Sequence, residues 1–255
     1  SSYLIPSPVL PPKQSSHYPS SVQMPELHKA GVAYSVAIAH FFYQSSGFTK
    51  FYNELYAYWK CTPLLVLISF LVLHGGRIPL KTRAFLAIAL TCGCAGDYVI
   101  GIAKEGIVPG AILFGVGHVF YLMTFLQDGL RINYPLAVFL LIWNVIMGYV
   151  CILPIILVSP LAVAILTVYS VLLTSTLIFS ASQCIYGTST HPPGSINLQW
   201  RLLGFALFFL SDNVLILAHT GYRVPFAEVI ILSTYFASQY FLIRAAISTE
   251  KMKKC

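Results

Sequence analysis

The sequence predicts an all-α protein, a polytopic transmembrane helical bundle of about eight spans with both termini cytoplasmic, and three observations carry that expectation. Charged residues make up 9% of the chain and hydrophobic ones 57%, whereas a soluble domain carries about 25% charged residues. Apolar runs of about 20 residues recur along it, the length a helix needs to cross a hydrocarbon core of about 30 Å. These runs are continuous, where a membrane β-barrel would show alternating segments of about ten residues. Helices also satisfy their own backbone groups inside lipid.

Residues 1–28 are rich in Pro and Ser and cannot bury enough apolar surface to offset their ordering entropy, so they read as a disordered tail. They lack the basic start, apolar core and cleavage site of a secretory signal, and the absence of an initial Met suggests a start inside a longer chain. The bundle occupies residues 29–248, and 249–255 form a basic C-terminal tail. Its expected spans cover about residues 30–44, 61–74, 84–103, 107–126, 134–152, 160–183, 200–219 and 226–247. The first is the weakest, short and ending in polar residues (His40, Tyr43, Gln44), and Pro154 and Pro160 blur the boundary of the fifth and sixth. A count of seven therefore stays open.

Charge sets the expected orientation. On the side carrying both termini fall Lys13, Lys29, Arg77, Lys81, Arg83, Arg131, Arg201, Arg244, Lys251, Lys253 and Lys254, leaving Lys50, Lys60, Lys104 and Arg223 for the other. Cytoplasmic connections carry the Lys/Arg excess, so both termini are expected there. Lys251, Lys253 and Lys254 read first as a solvated tail facing lipid headgroups; the sharper reading is that Lys251 and Lys253 resemble the K-x-K-x-x retrieval signal of endoplasmic-reticulum membrane proteins, from which location in that membrane is expected. The net charge of +7 does not point to nucleic acid, because the basic residues are dispersed and form no stripe. Six cysteines without C-x-x-C spacing indicate neither a disulfide framework nor a zinc site. The histidines are scattered singly, so no metal and no cofactor is expected.

Chemistry concentrates on two carboxylates. Asp97 and Asp212 are the acidic residues inside apolar spans, where an ionisable side chain costs about 2.5–3.5 kcal/mol at the bilayer centre unless it faces a bundle interior or wet cavity. Both fall late in parallel spans, the third and seventh, at similar depth on the non-cytoplasmic side. They read as a pair facing one cavity; helix-to-helix hydrogen bonding is the plainer alternative. Gly96-Asp97-Tyr98-Val99-Ile100 echoes Ser211-Asp212-Asn213-Val214-Leu215, and Tyr121 follows Asp97 much as Tyr235 follows Asp212. That echo suggests parallel repeats of two spans each. Gly93, Gly96, Gly115 and Gly117 are expected to let the third and fourth helices approach closely. His118 and Tyr121, three apart, share a helix face. Lys60, where span two opens, is either a phosphate anchor or an interfacial snorkelling lysine.

Five short motifs resemble the YhhN family in order and spacing: Lys60-Cys61-Thr62-Pro63, Gly96-Asp97, Gly117-His118-Val119-Phe120-Tyr121, Phe208-Phe209-Leu210-Ser211-Asp212, and Val224-Pro225-Phe226 leading to Leu232-Ser233-Thr234-Tyr235. The resemblance runs from about residue 55 to 247 and leaves out the Pro-rich start and the Pro192-Pro193 connection. This family of membrane proteins includes lysoplasmalogenases. The resemblance implies a lysophospholipid substrate in the bilayer, cleaved at its vinyl ether bond to a fatty aldehyde and a glycerophospho-ethanolamine or -choline.

Vinyl ethers hydrolyse by protonation at the β-carbon, capture of the oxocarbenium ion by water, and collapse of the hemiacetal. That chemistry suits Asp97 and Asp212 as a pair in which either one is the acid and the other its ionised partner, the two titrating together. Lys60 could then hold the phosphate, and Asn213, Tyr121, His118 and Tyr235 could position water or the enol ether oxygen. A proton- or cation-coupled transporter and a non-catalytic lipid sensor are the alternatives. The first is weakened by the lack of matching Gly/Pro-broken helices, the second by the cost of two uncompensated buried acids.

Overall fold

The computed structural model describes residues 23–76, 78–126 and 131–247 and holds, among them, eight α-helices and no strand. They are α1 (Gln23–Gln44), α2 (Glu54–His74), α3 (Leu80–Ile102), α4 (Ile107–Phe125), α5 (Tyr134–Met147), α6 (Pro160–Tyr186), α7 (Ile196–His219) and α8 (Ala227–Ile247). Seven of them, α2 to α8, are long and apolar enough to cross a membrane when the short turns Lys104–Gly106 and Gly148–Ile155 are counted with α4 and α5. The remaining helix, α1, is the span of weakest apolar character in the sequence. It begins at Gln23, inside the stretch read as a tail. The rest of that tail and the basic segment 249–255 with Lys251 and Lys253 lie outside the described residues.

Local chemistry explains the boundaries. α2 starts at Glu54, a full two turns before its apolar run, because the Asn53 side chain accepts a 2.8 Å hydrogen bond from the Tyr56 amide and Glu54 complements the helix dipole. Asn133 caps α5 in the same way, at 3.1 Å from the Leu136 amide. Pro63 lies inside α2 without ending it. After Met147, α5 widens into a π turn, Gly148–Ile152, and then tightens over Leu153–Ile155, so Pro154 marks the end of this element. Several hydroxyls within the spans are satisfied by bonding back one turn, as Thr91 does to the Ala87 carbonyl at 2.8 Å and Thr234 to the Ile230 carbonyl at 2.6 Å.

The helices run antiparallel in sequence. One end of the bundle therefore gathers residues 45–53, 103–106, 156–159 and 220–226, and the opposite end gathers 75–76, 78–79, 131–133 and 187–195. The most extensive packing lies in the hairpins α3–α4 and α7–α8, the two units in which the sequence echo was noted. Lipid supplies little hydrophobic drive between helices, so association depends on close fit. A Cβ on Gly96 would stand 2.7 Å from the Phe114 ring and one on Gly117 3.1 Å from the Ala89 carbonyl oxygen, so these two glycines do let α3 and α4 approach closely. Gly93 also borders α4, its Cβ position 3.6 Å from the Phe114 ring as well as 3.4 Å from the Tyr235 hydroxyl, whereas Gly115 does not serve that interface as expected and faces Leu172 and Tyr169 of α6. α1 is fastened by aromatic rings, with Phe41 packed on Phe48, Tyr56 and Phe236, and by the Tyr34 hydroxyl donating to the Phe236 carbonyl at 2.8 Å. α5 and α7 are equally the least buried of the seven spans, and the outer face of α5 (Val138, Phe139, Ile142, Val145) is exposed.

A close backbone approach joins α2 to α3, where a Cβ on Gly101 would meet the Ala57 Cα at 2.9 Å. Gly101→Val is therefore expected to wedge these helices apart at a cost of about 1–3 kcal/mol, lowering the thermal midpoint in detergent by several degrees. Gly76→Ala, with open space around it, should leave that midpoint in place.

Candidate active site

The close α2–α3 contact brings Lys60 against Asp97. Lys60 Nζ lies 2.9 Å from Asp97 Oδ1, and both side chains are buried, 8% and 2% exposed. One turn earlier the same helices cross at Cys61, whose Sγ lies 3.2 Å from the Cys94 carbonyl. Sequence spacing could not show this pairing, since the two residues lie on different helices and the opposite charges within each helix, Glu54 in α2 and Lys81 and Arg83 in α3, are more than a turn away. A carboxylate in low dielectric is tolerated when an ammonium compensates it, and breaking such a pair leaves an isolated buried charge.

Asp212 comes from α7 and borders the same cavity as Asp97, about 100 Å³ in volume. Its partner is neutral: the Tyr169 hydroxyl of α6 donates to Asp212 Oδ2. Ser211 ties this turn to α8 by donating to the Ile231 carbonyl at 2.9 Å. Asn213 accepts a 2.9 Å hydrogen bond from Trp143 Nε1 of α5 and donates to the Phe209 carbonyl at 2.7 Å. Tyr235 of α8 places its hydroxyl beside Asp97. The rest of the wall is mainly apolar, including Phe114, Leu166, Leu173, Phe209, Ile216 and Leu232.

The structure thus gathers Lys60, Asp97, Asp212, Asn213 and Tyr235 around one cavity. It does not bring His118 and Tyr121 to its wall. His118 is 1% exposed, packs edge-on to Phe208 at 4.8 Å and has Nδ1 3.4 Å from Thr176 Oγ1. The Tyr121 hydroxyl donates to Gln239 Oε1 at 3.0 Å and faces a smaller recess with Thr124 and Arg201 toward the other end of the bundle. The tyrosine half of the internal echo fails for this reason: Tyr235 lies in the first half of α8, Tyr121 near the end of α4, and the two stand at different depths.

Tyr169, Tyr56 and Thr174 are wall residues that sequence reasoning missed. With 16 tyrosines in the chain, a phenol in an apolar run singles nothing out. Asp97 Oδ2, the hydroxyls of Tyr56, Tyr235 and Thr174, and Glu228 Oε2 are all buried without a hydrogen-bond partner and all belong to residues of this cavity. Buried polar atoms are nearly always satisfied, so this concentration marks a place for a polar guest. Among the described residues no three His, Cys, Asp or Glu side chains are grouped as a metal site would need.

A family model described as the YhhN family matches residues 55–246, the stretch over which the motif resemblance runs. The chain is 32% identical over 200 residues to lysoplasmalogenase TMEM86B of Mus musculus, covering 76% of each protein. It is 30% identical over 208 residues to lysoplasmalogenase TMEM86B of Rattus norvegicus, with 76% of this chain and 74% of the relative covered. Lysoplasmalogenase TMEM86A of Bos taurus is 26% identical over 203 residues, with 75% and 78% covered. No solved structure matches the chain.

Removing Lys60 should strand the Asp97 charge. Lys60→Met is expected to destabilise the protein by about 3–5 kcal/mol, and Lys60→Met combined with Asp97→Asn should recover most of that loss. Thermal midpoints of the single and double variants in one detergent close the cycle; additive losses would show that the pair is not coupled.

Proposed function

The chain belongs to the YhhN family, and from that premise we propose that it is a membrane lysoplasmalogenase in which Asp212 is the acid and Asp97 the ionised partner. The observation that carries this reading is the unequal company of the two carboxylates in one cavity. Asp97 has an ammonium 2.9 Å away that holds it as a carboxylate. Asp212 meets a phenol, a neutral donor that compensates negative charge less than an ammonium does, so it is the one we assign as the acid.

In the proposed reaction Asp212 gives its proton to the β-carbon of the vinyl ether, and the double bond's electrons form the new C–H bond. Positive charge develops on the α-carbon and ether oxygen, where the Asp97 carboxylate stabilises it; preorganised charge of this kind is commonly the largest catalytic contribution. Water adds to the α-carbon and returns a proton to Asp212. The hemiacetal then collapses, its hydroxyl proton passing to the departing glycerol oxygen, to give the fatty aldehyde and the glycerophospho-amine. One water is consumed and the acid is restored. Tyr169 positions the acid by donating to the oxygen that does not deliver the proton. Trp143 and Asn213 close the α5 side of the cavity, and the apolar wall suits the alkenyl chain.

Aldehyde release from a 1-alkenyl lysophosphoethanolamine by purified protein tests the proposal. Asp212→Asn and Asp97→Asn are each expected to lower kcat about 10²–10⁴-fold, read per folded molecule because Asp97→Asn also leaves the buried Lys60 ammonium uncompensated. Tyr169→Phe should lower kcat about tenfold with little change in KM. Full activity in both asparagine variants would remove these residues from the chemistry, and a wild-type protein that releases no aldehyde would refute the enzyme itself.

A further inference from the structure

At the end of the bundle nearest the aspartates, residues 45–53 meet the start of α8. Lys50 Nζ pairs with Glu228 Oε1 at 2.9 Å, with 22% and 30% of the two side chains exposed. Both residues belong to the cavity that holds Asp97 and Asp212. The second Glu228 oxygen is buried without a hydrogen-bond partner. The two backbones that deliver this pair are held in unusual conformations: Phe48 and Tyr52 on one side, and Phe226 on the other, have positive φ of 68°, 45° and 55°, which non-glycine residues seldom adopt. The Phe48 ring, packed on Phe41, Phe42 and Phe236, fixes the first. Lys104 sits over the Tyr52 ring at 5.9 Å, and burial and the Glu228 carboxylate push the Tyr52 phenol up, keeping it a hydrogen-bond donor at this rim.

We infer that Lys50 and Glu228 form the receptor for the zwitterionic phospho-amine head of the lipid, Lys50 taking the phosphate and Glu228 the ammonium. The inference rests on the lysophospholipid reading of the cavity and deepens it by naming the residues that select the head. A cation and an anion held side by side at the mouth match a ligand that carries the same two charges a few bonds apart. Glu228 has an oxygen to spare for the guest, and the exposed flank of Lys50 can turn to phosphate when the guest's ammonium replaces it.

The spacing agrees. Glu228 stands seven residues before Tyr235 on α8, an axial rise of about 10 Å at 1.5 Å per residue, and Tyr235 lies beside Asp97. At about 1.2 Å per bond of an extended chain, the phosphate of a 1-alkenyl lysophospholipid lies roughly 8 Å from the vinyl carbon and its ammonium roughly 12 Å away. A head at the Lys50–Glu228 pair therefore leaves the vinyl ether at the aspartates. This assignment also takes the phosphate from Lys60, whose ammonium is already engaged by Asp97.

Binding of a non-hydrolysable 1-alkyl lysophosphoethanolamine and of the head-free 1-alkylglycerol, each measured by native mass spectrometry on detergent-purified protein, tests the inference without needing turnover. The wild type should prefer the phospholipid, and Lys50→Gln and Glu228→Gln should each reduce that preference about tenfold, or about 1.4 kcal/mol. The exchanged pair Lys50→Glu with Glu228→Lys keeps the ion pair and the brace between loop and helix, and should also lose preference, because its charges are transposed. Equal weakening for both lipids would reduce the pair to a structural brace and overturn the inference, as would a wild type that does not distinguish them. Displacement of the lipid by an equal concentration of soluble phosphoethanolamine would reassign the site to a water-soluble ligand and overturn the lipid reading. A wild type that binds as expected yet releases no aldehyde would refute the hydrolase reading alone.

Discussion

The buried contact between Lys60 and Asp97 is the constraint around which the rest of this bundle is arranged. A carboxylate 2% exposed inside a membrane protein is tenable only with a cation close by, and a cation on a neighbouring helix can come close only if the backbones do. Gly101 against Ala57 supplies that approach between α2 and α3. Gly96 and Gly117 supply the next one, between α3 and α4. Small residues and charged residues are thus two halves of one requirement. Without the first the second could not be satisfied.

Asp212 solves the same problem differently. Its helix presents it to the cavity from the far wall, and α6 answers with a phenol, a neutral donor. The two acids consequently share a space but differ in environment, which is the condition for one to give a proton while the other stays charged. Some polar groups elsewhere in the core close on one another across helices. Tyr121 with Gln239 and Arg201 with Gln183 at 2.8 Å are of this kind. The cavity gathers several buried polar atoms in need of partners, and its wall passes from charge at the mouth to apolar side chains beyond. An amphiphile with a zwitterionic head, a reactive ether and a long chain has the same order of parts.

The seam between α5 and α7 bears on access to this space. α5 contacts mainly α6, and its π turn, Gly148–Ile152, forms part of the cavity wall. Trp143 reaches across to Asn213, joining the least buried spans at the level of the acid. A π turn inside a helix is seldom retained without a local role, and here it gives Gly148 and Ile152 to the wall.

Composition and apolar run length were enough, in the sequence, for the helical membrane class, because a hydrocarbon core admits few backbone solutions. The same logic singled out Asp97 and Asp212, since a lone acid in such a run is costly wherever it points. Five motifs in order carried the family. Other features were decided only by the tertiary structure. Asp97 pairs with Lys60 and Asp212 with Tyr169 across helices distant in sequence, and helical periodicity says which face a residue shares but not which neighbour meets it. His118 and Tyr121 show the limit: three apart on one face, they project to a level of the bundle that spacing within one helix cannot specify. α2 begins two turns before its apolar run because Asn53 caps it, a hydrogen bond and not a hydropathy signal. Lys50 and Glu228, far apart in the chain, are ordinary loop and helix-end charges until folding sets them over the same cavity.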